Sequence, residues 1–260
     1  MFSTLKIIPV NLLPVFKKTV DETHLLKYRH LEDGELSVDD FSFYTSVAAV
    51  YSSKIEGEDI ELDSYVKHKR FGISFQPDYT RKIDDLYETY QFAKTAVCNE
   101  DNLSRAHALL SRHLLPKNKQ GVHRTGNMFV TTDDGKIEYV AATPGALNGE
   151  MQKLNSDIKT LLNSNLTVSE TFYFAAMLHL VFVKIHPFED GNGRTGRLLE
   201  KWFLASKLGE KAWLIPSERY YYQNHANYFL SLRQLGLEYD LLDYSKALPF
   251  VLMLSASVSE

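Results

Sequence analysis

The chain has 260 residues, of which 44% are hydrophobic, and 29 Lys+Arg stand against 33 Asp+Glu for a net charge of −4. That apolar content can bury a sizeable core, which excludes a disordered chain. The near balance of charge excludes a general nucleic-acid binder, which needs a basic excess.

In chain order, the N-terminal stretch to Val20 is interrupted by Pro9 and Pro14 and lacks both a basic start and a small-residue cleavage site. It does not read as a signal peptide. Asp39 to Lys54 carries Phe41, Tyr44, Val47, Ala48 and Tyr51 at helical spacing, and Thr80 to Val97 repeats the pattern with Ile83, Leu86, Tyr87, Tyr90 and Ala93. Cys98 is the single cysteine, so no disulfide forms within the chain and a reducing compartment is expected. It reads as a small buried hydrophobe on a helix rather than a catalytic thiol. Asn102 to Leu115 is a further helix, capped at Asp101 or Asn102.

Met128 to Thr132 and Lys136 to Val140 are short runs rich in β-branched and aromatic residues with Asp134-Gly135 between them. This predicts a β-hairpin, because a type I′ turn needs positive φ twice. Thr167-Val-Ser-Glu170 has the form of a capping box ahead of a long apolar run. Val168 to Ile185 is therefore expected as a buried central helix. Its longest apolar stretch, Thr171 to Ile185, is shorter than the roughly 18 to 20 residues of a membrane span. A helix from about Gly193 to Leu208, stopped by Gly209, is followed by helices at Tyr221 to Leu235 and Leu241 to Ser255. The expected class is all-α with one hairpin, in a soluble cytoplasmic protein.

The segment His186-Pro-Phe-Glu-Asp-Gly-Asn-Gly-Arg-Thr-Gly-Arg197 concentrates unusual chemistry. Pro187 forces His186 off the helical conformation. Gly191 and Gly193 free the backbone to approach a ligand. Arg194 and Arg197 stand at i and i+3 on the first turns of the next helix and share a face. Backbone N–H groups at a helix start favour an anion, and two guanidiniums clamp phosphate oxygens. Asp190 beside phosphates is a natural Mg²⁺ ligand. His186 can accept a proton from a hydroxyl near pH 7. Together these describe a Mg²⁺–polyphosphate site with a base beside it. The literal G-x-G-x-x-G in this stretch does not read as a dinucleotide site, since a helix and not a strand precedes it. A purely structural helix–turn–helix corner would not need the full combination.

This segment resembles the signature of the Fic family, His-Pro-Phe-x-(Asp/Glu)-Gly-Asn-Gly-Arg-x-x-Arg, with every defined position filled. The resemblance covers about residues 40 to 255 and implies the Fic helical bundle with a hairpin flap. It implies a protein adenylyltransferase that moves AMP from ATP to a Ser, Thr or Tyr hydroxyl of a target protein and of itself. His186 would be the base, and Asp190 would hold Mg²⁺ bridging the α and β phosphates. Gly191, Asn192 and Gly193, with Thr195 on the same turn, would cradle phosphates. Arg194 would hold the β-phosphate and Arg197 the γ-phosphate, while Phe188 anchors the loop. Phe129, Val130, Thr131 and Thr132 of the flap would dock the target as an added strand. Asn224 and Tyr228 are candidates for the nucleoside end.

Ser52-Ser-Lys-Ile-Glu56-Gly57 is similar to the inhibitory motif of the N-terminally autoinhibited Fic class. Glu56 would pair with Arg197 in place of the γ-phosphate, with Ser52 in the same motif. The neighbouring Glu58, Asp59 and Glu61 allow the plainer reading of a solvated acidic helix end. The resulting division is an N-terminal segment, 1–60, carrying the inhibitory helix and a catalytic domain, 61–260. The expected partners are ATP and an unidentified hydroxyl-bearing protein, with no nucleic acid or membrane and with homo-oligomers possible. Two alternatives stay open: another transfer or AMP removal on the same fold, and a nucleotide-binding regulatory module.

Overall fold

In the computed structural model of the chain, residues 2–34, 37, 42–131 and 135–259 are described. Among them run α1 (Leu13–Thr19), α2 (Glu22–Leu25), α3 (Phe43–Lys54), α4 (Leu62–Phe71), α5 (Pro77–Thr95) and α6 (Glu100–Leu110). After the strands β1 (Phe129–Thr131) and β2 (Ile137–Val140) come α7 (Pro144–Leu162), α8 (Val168–Ile185), α9 (Asn192–Leu208), α10 (Ser217–Gln223), α11 (His225–Arg233) and α12 (Leu248–Ala256). The class is all-α with one two-stranded sheet, as the sequence predicts.

Helix α8 is the axis of the molecule. Its start is fixed by Thr167, whose Oγ1 accepts from Glu170 N while the Glu170 carboxylate accepts from Thr167 N at 2.9 Å. By length and composition its 18 residues suffice to cross a membrane, but 83% of it is buried inside the protein, against α7, α9 and α12. Its apolar residues on every side are thus those of a core helix. Gly196 lets α9 approach closely: a Cβ there would lie 2.8 Å from both His179 and Val183 on α8. Gly209 ends α9 with φ 87°, donating to the Ala205 carbonyl.

The N-terminal segment shares this core. Phe16, Leu25 and Tyr28 are buried in it, and the fully buried Asp157 of α7 accepts from the N–H groups of Lys6, Ile7 and Ile8.

Several boundaries differ from expectation. Asp39 to Phe41 lie outside the described residues; α3 is capped by Ser42, whose hydroxyl accepts from Thr45 N. Pro77 starts α5 a turn early, as its fixed φ suits the first helical position. Asn99, not Asp101 or Asn102, caps α6, which stops at Leu110. Cys98 is buried as expected but sits between α5 and α6, not on a helix. The expected helix 221–235 is two helices broken at Asn224 (φ −108°, ψ 33°). The last helix begins only at Leu248, because Pro249 is tolerated only in a first turn. The hairpin pairs Phe129 with Val140 and Val130 with Tyr139, with an irregularity after Val130. Thr132 and Asp134 fall outside the described residues.

Candidate active site

His186 terminates α8 in the left-handed region, φ 56°, ψ 61°. A bulky residue rarely adopts this conformation, and it is stored where surroundings over-determine it. Arg124 supplies much of that constraint. Its Nε donates to the His186 carbonyl at 2.7 Å, its Nη1 to Gly126 O at 2.7 Å, and its own N–H to Pro187 O at 2.9 Å. A buried guanidinium thus closes the negative end of α8.

The His186 imidazole has Nδ1 3.2 Å from the Val183 carbonyl. A carbonyl only accepts, so Nδ1 carries the hydrogen and Nε2 is left with a lone pair. Burial pushes the imidazole down to about 4, with the Val183 hydrogen bond opposing. The ring is therefore neutral at pH 7.

The loop after it is propped from below. Phe188 is buried and stacks on His107, with ring centroids 3.6 Å apart and planes 10° apart. His107 accepts from Gly121 N at 2.8 Å and donates to the Asp190 carbonyl at 2.9 Å. Burial pushes its imidazole to about 4, so the ring stays neutral. Both polar atoms of the Asn192 amide are taken by Phe188: Oδ1 accepts from its N–H and Nδ2 donates to its carbonyl, each at 2.9 Å. Asn192 is thus a staple of the loop in this state, and Thr195 is turned inward to the Gly191 carbonyl at 2.8 Å. Asp190 is exposed, with Oδ1 accepting from Gly191 N at 2.6 Å.

At the start of α9 the chain supplies its own anion. A Cβ on Gly193 would lie 2.5 Å from Glu56 Oε1 and 3.1 Å from Arg197 Nη1. The Glu56 carboxylate therefore rests against the helix N-terminus, where unpaired N–H groups and the dipole favour negative charge. Arg197, fully buried, donates from Nη2 to Glu56 Oε1 at 2.6 Å and to Ser52 O at 2.9 Å, and from Nε to Ser52 Oγ at 2.8 Å. Burial would raise the Glu56 carboxyl, but Arg197 and Arg194 outweigh it and hold it below its ordinary value.

Arg194 does not share this contact. It turns to Glu58, Nη2 to Oε1 at 2.8 Å, both buried, with Lys82 Nζ 3.3 Å from the same oxygen. Arg194 Nε and Nη1 and Glu58 Oε2 are buried without partners. Burial raises the Glu58 carboxyl against the pull of Arg194 and Lys82. The plainer reading of the sequence puts Glu58 in a solvated acidic run; the fold buries it.

A cavity of about 160 Å³ opens beside these groups. Glu56, His186, Gly193 and Arg197 line it together with Val130 and Tyr139 of the hairpin, Val183, Lys184, Phe229, Leu232 and the ion pair of Arg233 with Glu138. Lys184 lies 4.0 Å over the Tyr139 ring, and burial pushes its ammonium down to about 8. Tyr228 is on this wall, but its hydroxyl accepts from Arg197 Nη1 at 3.3 Å. Asn224 is elsewhere: it donates to Tyr220 O and faces a separate depression with Asn227 and Leu230. Phe229 and Leu232, not read from the sequence as site residues, line this cavity. Phe129 and Thr131 are exposed on β1; Val130 turns to the cavity.

Residues 97–204 match the profile of the Fic/DOC family. It is similar to the protein adenylyltransferase Fic of Nematostella vectensis, 28% identical over 198 residues that cover 74% of this chain. The match spans 40% of that relative's length. A Fic family protein from Desulfovibrio desulfuricans G20 shares the fold with a TM-score of 0.74 and 20% identity, over 96% of this chain and 72% of the other. Fic-1 from C. elegans does so with a TM-score of 0.65 and 16% identity, over 95% of this chain and 69% of the other.

Proposed function

We propose that this chain is a protein adenylyltransferase held at rest by Glu56. The observation that carries this reading is the carboxylate itself. It lies on the N-terminus of α9 and on Arg197, beside a neutral His186 whose Nε2 lone pair is free. A site that attracts its own chain's anion is a site for a ligand's anion.

In the active state Glu56 leaves, and the phosphates of ATP take its place on the α9 N–H groups and Arg197. The target adds as a strand along the outer edge of β1. The far edge of β2 is taken at Val140, whose N–H donates to Leu237 O at 2.8 Å. His186 Nε2 takes the proton of the target hydroxyl as that oxygen bonds to the α-phosphorus, and pyrophosphate departs. Asp190 is the residue that would hold Mg²⁺. Its carboxylate is exposed with Oδ2 uncommitted, and one carboxylate suits an ion otherwise coordinated by phosphate oxygens and water. Such an ion neutralises charge on the phosphates. The apolar lining residues Val183, Phe229 and Leu232 suit the base.

The test is incorporation of label from α-labelled ATP into the protein and into added lysate. Glu56→Gly is expected to raise incorporation about 5- to 150-fold, the span of a coupling of 1–3 kcal/mol. His186→Ala in the same background is expected to lower it about 10²- to 10⁴-fold. Equal labelling of wild type and Glu56→Gly would remove the brake. Loss of label from pre-modified protein, in place of gain, would assign the hydrolytic reaction instead.

A further inference from the structure

Behind Arg197 lies a run of buried polar groups that the transfer chemistry does not use. His179 and Glu200 are fully buried, and His179 Nδ1 lies 2.9 Å from Glu200 Oε2. His179 Nε2 lies 3.1 Å from the Tyr228 hydroxyl, and the Tyr221 hydroxyl donates to the same Glu200 oxygen at 2.8 Å. The run ends on Arg197 Nη1, 3.3 Å from the Tyr228 oxygen.

Its direction is forced. Arginine only donates, so the Tyr228 oxygen accepts from Nη1. Among the described residues the Tyr228 hydrogen then has one acceptor in reach, His179 Nε2. That ring nitrogen must present a lone pair, so the hydrogen is on Nδ1 and goes to Glu200. Each contact has a single polarity from Glu200 to Arg197. The His179 ring is also confined: Gly196 leaves no room for a Cβ beside it, and Phe250 meets it edge-on at 5.1 Å. Burying a carboxylate costs several kcal/mol unless it is well paired, and apolar side chains would fill this space without that cost.

The partners of Arg197 fall on two sides. Ser52 and Glu56 both belong to the α3 segment, the part that must shift for Glu56 to leave. Tyr228 belongs to α11 and is held from α8 through His179. We infer that His179, oriented by Glu200, is a positioning residue: through the Tyr228 hydroxyl it keeps Arg197 aimed at the terminal phosphate once the α3 contacts are released. This rests on the nucleotide reading given above.

The experiment compares ATP and ADP affinity in Glu56→Gly protein, with and without Tyr228→Phe, His179→Leu or His179→Gln. Tyr228→Phe removes one oxygen and keeps the ring, so it also serves if a His179 variant fails to fold. A hydrogen bond to a charged group is worth about 1.5–3 kcal/mol. Tyr228→Phe and His179→Leu are therefore expected to cut the preference for ATP over ADP about tenfold or more, with the larger loss on ATP. His179→Gln, whose amide oxygen can accept from Tyr228, restores part of it. An unchanged ATP preference in folded Tyr228→Phe, or equal loss of ATP and ADP affinity, overturns the inference. If the Glu56→Gly parent itself prefers neither nucleotide, the nucleotide reading fails, and the inference with it.

Discussion

The two sides of Arg197 are built differently. On the core side, His107, Phe188, Asn192 and His179 are buried with their polar atoms paired, and α8 and α9 are locked by Gly196. On the α3 side, Glu56 keeps 30% of its side-chain surface in solvent, and Lys54 pairs with the exposed Asp59 and Glu61. In the proposed function chemistry is set on the core side and control at the exposed acidic end of α3, although the helix itself is buried at Ala48, Ala49 and Val50. Exposed ion pairs contribute about 0–1 kcal/mol, whereas orphaning a buried partner costs far more.

Glu58 puts the sharpest strain on that contrast, for it belongs to the α3 side but is buried. Glu58→Ala leaves Arg194 charged and unpaired, and is expected to destabilise the fold by about 3–5 kcal/mol, read as a lower midpoint in urea. A midpoint near wild type would mean that the Arg194 pair is as dispensable as a surface bridge. His107→Leu comes next. It strands the Gly121 N–H and the Asp190 carbonyl, each worth about 1–3 kcal/mol, and should lower the melting temperature by several degrees.

That variant also tests a pH dependence. His107 and His186 have folded values near 4, below the ordinary 6.5. The unfolded chain therefore binds more protons in between, so stability falls as pH drops from about 6.5 toward 4. The fall should be shallower in His107→Leu; identical slopes would remove His107 from the account. The last variant is on the α3 side. Glu56→Gly takes the carboxylate from a buried Arg197 that keeps its bonds to Ser52 and Tyr228, so it should destabilise the fold by less than Glu58→Ala does while activity rises. A loss as large as that of Glu58→Ala would abolish the distinction between the halves.

What the sequence reveals here is local. Thr167 and Glu170 are three residues apart, and their reciprocal bonds follow from that spacing. The glycines and arginines of 191–197 likewise report their helix start directly. The props do not: His107 reaches Asp190 across 83 positions and Glu58 reaches Arg194 across 136. Nothing near Glu58 distinguishes it from the exposed Asp59. His179 reads only as an interruption of an apolar run until Tyr228, 49 residues on, is folded against it. The break at Asn224 was hidden because both flanking helices keep the same aromatic period.

The Glu56 carboxylate is tethered. Its effective concentration at the start of α9 is set by the stiffness of one chain segment, so dilution of the protein leaves its grip unchanged. In the proposed function, free nucleotide competes against that fixed value. A partner that tilts α3 enough to break a 2.6 Å contact would lower it sharply, without entering the cavity at all.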